Sequence, residues 1–160
     1  MSRPVRRALL AVALLIAGTL AAAAPAEAVA GPAALSNIRT GNNPGFDRVV
    51  LDLGAGSVPT VRYQLTDELT FDASGEIVWL TGQYFINVVV SPATYYDASG
   101  HFTYPGPQKF RTRNLANVMA VALTGDFEGQ IGVGLGVRTR STVNVFTLTA
   151  PNRVVIDVAH

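Results

Sequence analysis

The 160-residue chain contains no cysteine, which removes disulfide frameworks, thiolate metal sites and thiol nucleophiles together. Charge is scarce too. Asp, Glu, Lys and Arg supply 14% of the residues against 49% hydrophobic, a balance that belongs to compact folded chains rather than disordered ones. Histidine occurs twice, at His101 and His160, without triad spacing, and no Gly-x-Ser-x-Gly elbow is present. A His-rich metal site is equally unsupported. No window keeps apolar residues at helical spacing for three turns. The length itself fits one domain, at roughly 100–200 residues per domain.

Arg3, Arg6 and Arg7 precede an apolar run over residues 8–24, and the small-residue sites Ala26-Glu27-Ala28 and Ala28-Val29-Ala30 follow it. That order predicts a secretory signal peptide over residues 1–30 and a mature domain over 31–160, secreted and extracellular or cell-wall associated. A retained membrane anchor is the alternative, because the run approaches bilayer-spanning length. Alanine is a weak membrane former and no charged stop-transfer sequence follows, so no stable membrane insertion is expected after cleavage. Arg6-Arg7 beside Ala8-Leu9-Leu10 also resembles a twin-arginine export signal. Removing residues 1–30 takes Lys plus Arg from 12 to 9 and Asp plus Glu from 11 to 10, turning a formal charge of +1 into −1. An overall basic field for nucleic acid is therefore absent.

Period-two alternation runs the length of the mature chain and predicts an all-β domain, a single antiparallel sandwich of about eight strands bounded by Gly, Pro, Asn and Asp. Val49, Leu51 and Leu53 share one strand face, as do Val61, Tyr63 and Leu65. The runs 77–80 and 85–90 are continuously apolar, as in strands buried on both sides. Later strands are expected near 117–123, 130–138, 142–148 and 153–158. Asp72-Ala73-Ser74-Gly75 recurs as Asp97-Ala98-Ser99-Gly100, and both fit type I turns whose aspartate bonds the following backbone. These loops lack the further oxygen ligands that calcium needs.

A second repeat pairs the two ends of the domain: Arg48-Val49-Val50-Leu51-Asp52-Leu53 and Arg153-Val154-Val155-Ile156-Asp157-Val158. Two strands built alike predict a pseudo-symmetric pairing, with Arg and Asp on one face as an edge ladder of charge pairs and the aliphatic positions turned to the core. Gly132, Gly134 and Gly136 alternate with Ile131, Val133, Leu135 and Val137, so one face of that strand carries no side chains. Such a strip marks close approach by something else. It is either covered by a ring such as Trp79 or Tyr84, or the floor of a groove for an extended glycan or peptide.

Ile38-Arg39-Thr40-Gly41, Gly45-Phe46-Asp47-Arg48-Val49-Val50-Leu51-Asp52, Gly125-Asp126-Phe127-Glu128-Gly129 and the closing Pro151-Asn152-Arg153-Val154-Val155-Ile156-Asp157 resemble the AMIN-like domain of secreted actinobacterial proteins. The likeness covers nearly all of the mature chain. That family is named for its similarity to the AMIN domain, a β-sandwich module found beside N-acetylmuramoyl-L-alanine amidases and in secretin pores, where it binds peptidoglycan. The resemblance implies a non-catalytic cell-envelope module without cofactor or metal, since the amidase domain and its zinc ligands are a separate part of those proteins.

Residues 91–113 are the least regular and most aromatic stretch. Tyr95, Tyr96, Phe102 and Tyr104, with Lys109, Arg111 and Arg113, are the candidate ligand-binding residues, because aromatic faces stack on sugar rings while Tyr hydroxyls and Arg forks bind hydroxyls and carboxylates. The plain alternative is a hairpin turning at 97–100 with these rings as packing. The expected partner is peptidoglycan or another cell-wall glycan, with an envelope protein paired through a sheet edge as the second possibility. Asp126 and Glu128 invite a glycosidase reading, but Gly125 and Gly129 flank them and a turn is simpler. No catalytic residue is assigned.

Overall fold

The computed structural model describes residues 30–160, so the expected signal segment, Ala30 apart, lies outside the described residues. Among those described the chain is all β, with ten strands, and no helix long and apolar enough to cross a membrane. In order they are β1 Ala33–Asn43, β2 Phe46–Leu53, β3 Thr60–Thr66, β4 Tyr84–Ser91, β5 Ala93–Thr94, β6 Lys109–Arg111, β7 Val118–Phe127, β8 Gln130–Val137, β9 Val143–Leu148 and β10 Arg153–Ala159. They form two five-stranded sheets, β5-β1-β2-β10-β9 and β3-β4-β8-β7-β6. Seven of the eight expected strands are present. The run 77–80 is not a strand, and β1, β5 and β6 are additional. All pairings are antiparallel except β1 with β5.

Tight turns set the registers. Asn43 and Phe46 close the β1–β2 hairpin around Pro44-Gly45, and Gly45 at φ 84° supplies the positive angle that a type II turn places after proline. Phe127 and Gln130 close the β7–β8 hairpin around Glu128 and Gly129, both at positive φ, as a type I′ turn requires.

Each sheet turns one aliphatic face inward. Val49, Leu51 and Leu53 of β2 and Val154, Ile156 and Val158 of β10 meet Ile86, Val88 and Val90 of β4 and Ile131, Val133, Leu135 and Val137 of β8 in one hydrophobic cluster. Burying side chains of this kind contributes roughly 1.5–3 kcal/mol each, so this shared core dominates the stability.

The repeated hexapeptides are neighbours. β2 and β10 pair antiparallel, with Arg153 opposite Asp52 and Asp157 opposite Arg48, and the Arg48 guanidinium grips Asp157 through two 2.7 Å bonds. The ladder crosses the middle of its sheet rather than an edge, which corrects the sequence expectation. On its far side Arg39 of β1 binds Asp52 at 2.6 and 2.7 Å, and this pairing holds the Asp52 carboxyl below the usual range.

The glycine strip of β8 faces outward and is covered by neither a ring nor a ligand groove. Residues 67–83 cross it as a strap. Val78 N–H donates to Leu69 O at 2.8 Å, Asp72 N–H to Thr124 O at 3.0 Å and Gln83 N–H to Val137 O at 2.8 Å. Leu69 and Val78 are buried with Ala122 in a second, smaller cluster. A Cβ on Gly134 would lie 2.5 Å from a Leu69 methyl, and one on Gly82 would lie 2.7 Å from Gly136 Cα. Only a strip without side chains admits the strap at this distance.

Candidate functional site

The seven candidate residues of the sequence reading part into three groups. Tyr95 and Tyr104 are 9% and 4% exposed and belong to the core, with Phe102 packed against them. Tyr95 stands 5.1 Å from Phe102, and Phe102 6.1 Å from Tyr104, both edge-on, the favoured geometry for packed rings. Burial pushes the Tyr104 phenol up and, with Asp126 nearby, drives Tyr95 to about 12. Tyr95 and Tyr104 are enclosed and Phe102 is half-buried against them, so packing accounts for the place of these three rings. Tyr96 is exposed, but beside a different hollow shared with Asp97 and Asp126. Arg113 is exposed two residues beyond β6 and lines neither hollow.

Lys109 and Arg111 behave differently. They lie two residues apart on β6, one of the two edge strands of its sheet, so period-two alternation sends both to the outer face while Phe110 packs toward the core. There they meet the strap. Lys109 Nζ donates to Trp79 O at 2.9 Å and Arg111 Nε to Thr81 Oγ1 at 3.0 Å. Between strap and strand lies a shallow groove of about 200 Å³ lined by Trp79, Leu80, Thr81, Lys109, Phe110, Arg111 and Ala120. Trp79 stands at its mouth with 79% of its surface exposed.

Trp79 is the residue that the sequence reading placed wrongly. Its apolar neighbours predict a buried strand, yet the strap buries Val78 and exposes Ile77 and Trp79, because only one side of a surface segment meets the sheet. The available signal was that Trp79 is the chain's single tryptophan, an expensive ring to leave in water.

The carboxylates serve the scaffold. Asp126 Oδ2 accepts from Thr94 Oγ1 at 2.7 Å and Tyr95 N–H at 2.8 Å, fixing the end of β5, while Glu128 occupies the β7–β8 turn. Asp97 caps its own loop through Ser99 N–H and His101 N–H at 2.8 and 2.9 Å, which lowers its pKa. That is the expected aspartate turn. Its counterpart Asp72 instead directs its carboxyl at the glycine strip.

Asp47, within the Gly45-Phe46-Asp47-Arg48 motif, is fully buried. It accepts N–H bonds from Ala116, Asn117 and Val118 at 3.0, 2.6 and 2.8 Å, so the start of β2 is tied to the start of β7 in the other sheet. The Asn117 amide extends the tie to Ala159 O at 2.9 Å. Among the described residues no group of three or more His, Asp or Glu side chains is placed to hold a metal ion.

The profile of the AMIN-like domain matches residues 33–160, all but the first three of the described residues. No curated protein matches the chain.

Proposed function

The chain belongs to the AMIN-like domain family, and on that premise we propose that it is a secreted, non-catalytic module of the cell envelope that binds peptidoglycan or a related cell-wall glycan. Domains of this family generally occur in secreted or cell-envelope proteins, which supports the location. The two sheets with their common core support reading the domain as a sandwich. One observation carries the ligand class: an indole left 79% exposed at the mouth of a groove. A free aromatic face stacks on the apolar face of a pyranose ring. The groove is smaller than the roughly 300–1,000 Å³ of enclosed small-molecule sites, as suits one sugar of a long polymer touched from the side. Each contact of that kind is weak. Engagement of many sites along a polymer supplies the retention.

The reading predicts that the protein pellets saturably with purified sacculi and that soluble muropeptides compete. Protein that stays in the supernatant at every salt concentration refutes it. In that event the second reading gains. The edge strand β3 leaves Tyr63 and Leu65 45% and 40% exposed, and an extended segment of an envelope protein adding to that edge is the arrangement they favour.

A further inference from the structure

The groove has a charge sign as well as a ring. We infer that it takes a sugar bearing an anionic substituent, the ring against Trp79 and the anion held by Lys109 and Arg111. This rests on the glycan reading for the sugar and adds to it the requirement for negative charge.

Three observations carry it. First, no carboxylate lies within ion-pair distance of Lys109 or Arg111 among the described residues, whereas Arg39, Arg48 and Arg140 are each paired; Arg62, Arg113, Arg138 and Arg153 also lack an ion pair, but none of them lines the groove beside Trp79. Two adjacent like charges without a counterion repel each other, and an anion between them relieves that repulsion. Second, both are held in place by the strap, through Trp79 O and Thr81 Oγ1. Each uses one donor there. Two ammonium N–H groups and the Nη fork remain, already oriented, so less side-chain freedom is lost when an anion binds. Third, the ring face is left open. Arg48 lies over Phe46 and Phe146 and Arg140 over Tyr84, but no described cation covers Trp79. Indole and cations therefore sit side by side, as a ring with a charged substituent needs. The formal charge of residues 31–160 is only −1 by count, so the chain has no overall basic field that would draw polyanions to its whole surface.

The chain's single tryptophan makes tryptophan fluorescence, excited at the red edge where its tyrosines do not absorb, a reporter of this groove. The protein is titrated with N-acetylmuramic acid, whose charge is a carboxylate, with N-acetylglucosamine 1-phosphate, whose charge is a phosphate, and with neutral N-acetylglucosamine. At least one acidic sugar is expected to shift the emission at a concentration roughly tenfold below that of the neutral one, since charge-assisted hydrogen bonds exceed neutral ones. A response to the first alone assigns a carboxylate, to the second alone a phosphate, and to both the charge itself. Lys109→Gln with Arg111→Gln should abolish the preference while the melting temperature holds. Equal response to acidic and neutral sugars overturns the inference and leaves the glycan reading standing. Silence toward all three, in a protein that still pellets with sacculi, overturns the groove as the site but not the wall as the target. Response to acidic sugars without pelleting supports the groove and refutes peptidoglycan.

Discussion

Alanine at Gly136 and alanine at Gly134 add the same methyl to the same face of the same strand, yet they should differ sharply in cost. At Gly136 the new Cβ would meet the Thr81 carbonyl carbon at 2.9 Å, and its oxygen closer still. Backbone cannot rotate aside. At Gly134 the nearest atom is Leu69 Cδ1 at 2.5 Å, followed by Thr124 Cγ2 at 3.3 Å, and a leucine tip can change rotamer. Against either stands a gain of roughly 0.4–1 kcal/mol from the reduced freedom of the unfolded chain. Local overpacking costs about 1–3 kcal/mol, so Gly134→Ala should lie between neutral and a loss of about 2 kcal/mol. Gly136→Ala must lift the strap, and part of the burial of Leu69 and Val78, worth roughly 1.5–3 kcal/mol each, goes with it. We expect a loss of about 3–4 kcal/mol, which for a domain of this size lowers the melting temperature by roughly 10 °C or more. Thermal unfolding followed by circular dichroism measures both. Trp79 emission should move for Gly136→Ala alone, below the transition. A Gly136→Ala protein as stable as the parent, or a Gly134→Ala protein less stable than the Gly136→Ala protein, would show that the strap does not sit on the strip as described.

Three further outcomes follow from buried or paired groups. Asp47→Asn places an amide donor against a pocket of N–H donors from Ala116, Asn117 and Val118, and urea unfolding should record a loss of about 2–4 kcal/mol; a loss below 1 kcal/mol would rule out the cross-sheet tie. Tyr95 keeps its proton to about 12 in the fold, whereas an unfolded tyrosine gives it up near 10. The unfolded chain thus binds fewer protons in that window, and stability is whole below pH 10 and falls by up to about 2–3 kcal/mol as pH rises toward 12; Tyr95→Phe should flatten that decline, and an unchanged decline would remove Tyr95 as its source. Arg39→Gln breaks a largely exposed pair with Asp52 and should lower the melting temperature only slightly. The Asp52 carboxyl is held low, so this contribution is present above pH 4 and disappears as pH falls through the folded value, and a cost that persists at pH 2 would exclude the ion pair as its origin.

The parts of the fold visible in the sequence were those in which local pattern and tertiary role agree. Val49, Leu51 and Leu53, and likewise Val154, Ile156 and Val158, alternate because each has one core-facing side, and a period of two survives without knowledge of the partner strand. β5 and β6 span two and three residues, too few for any period to register. β1 reads Ala-Ala-Leu-Ser-Asn-Ile-Arg-Thr-Gly-Asn-Asn, poor in the β-branched and aromatic residues that mark strands, and is held by its pairing with β2 rather than by propensity. The run 77–80 has strand composition but meets the sheet from outside, through one side chain in two. At the site, Lys109 and Arg111 were legible as basic residues in an aromatic stretch. Of the rings nearer to them in sequence, Tyr95 and Tyr104 are core and Tyr96 is exposed beside another hollow, and the ring beside them in space comes from 30 residues earlier, a pairing that depends on the strap's path over β8.

That path also explains why an otherwise costly strand is tolerated. Three glycines within β8 weaken it, each by something like 0.5–1 kcal/mol relative to alanine, and the core does not need them, since they face away from it. What they permit is close approach of backbone at 81–82, and that approach sets the position of Thr81 Oγ1, to which Arg111 is bonded, and of Trp79 O, to which Lys109 is bonded. The groove is therefore the outer margin of the strap's contact with the sheet, and its geometry is fixed by residues that touch no ligand. Loops held on a rigid scaffold commonly carry binding groups; here the scaffold contributes by the absence of side chains. Sugar binding at Trp79 should accordingly be more sensitive to added volume at Gly136, behind the groove, than to loss of Tyr96 or Arg113, which are exposed and nearer in sequence to the two cations but lie outside it.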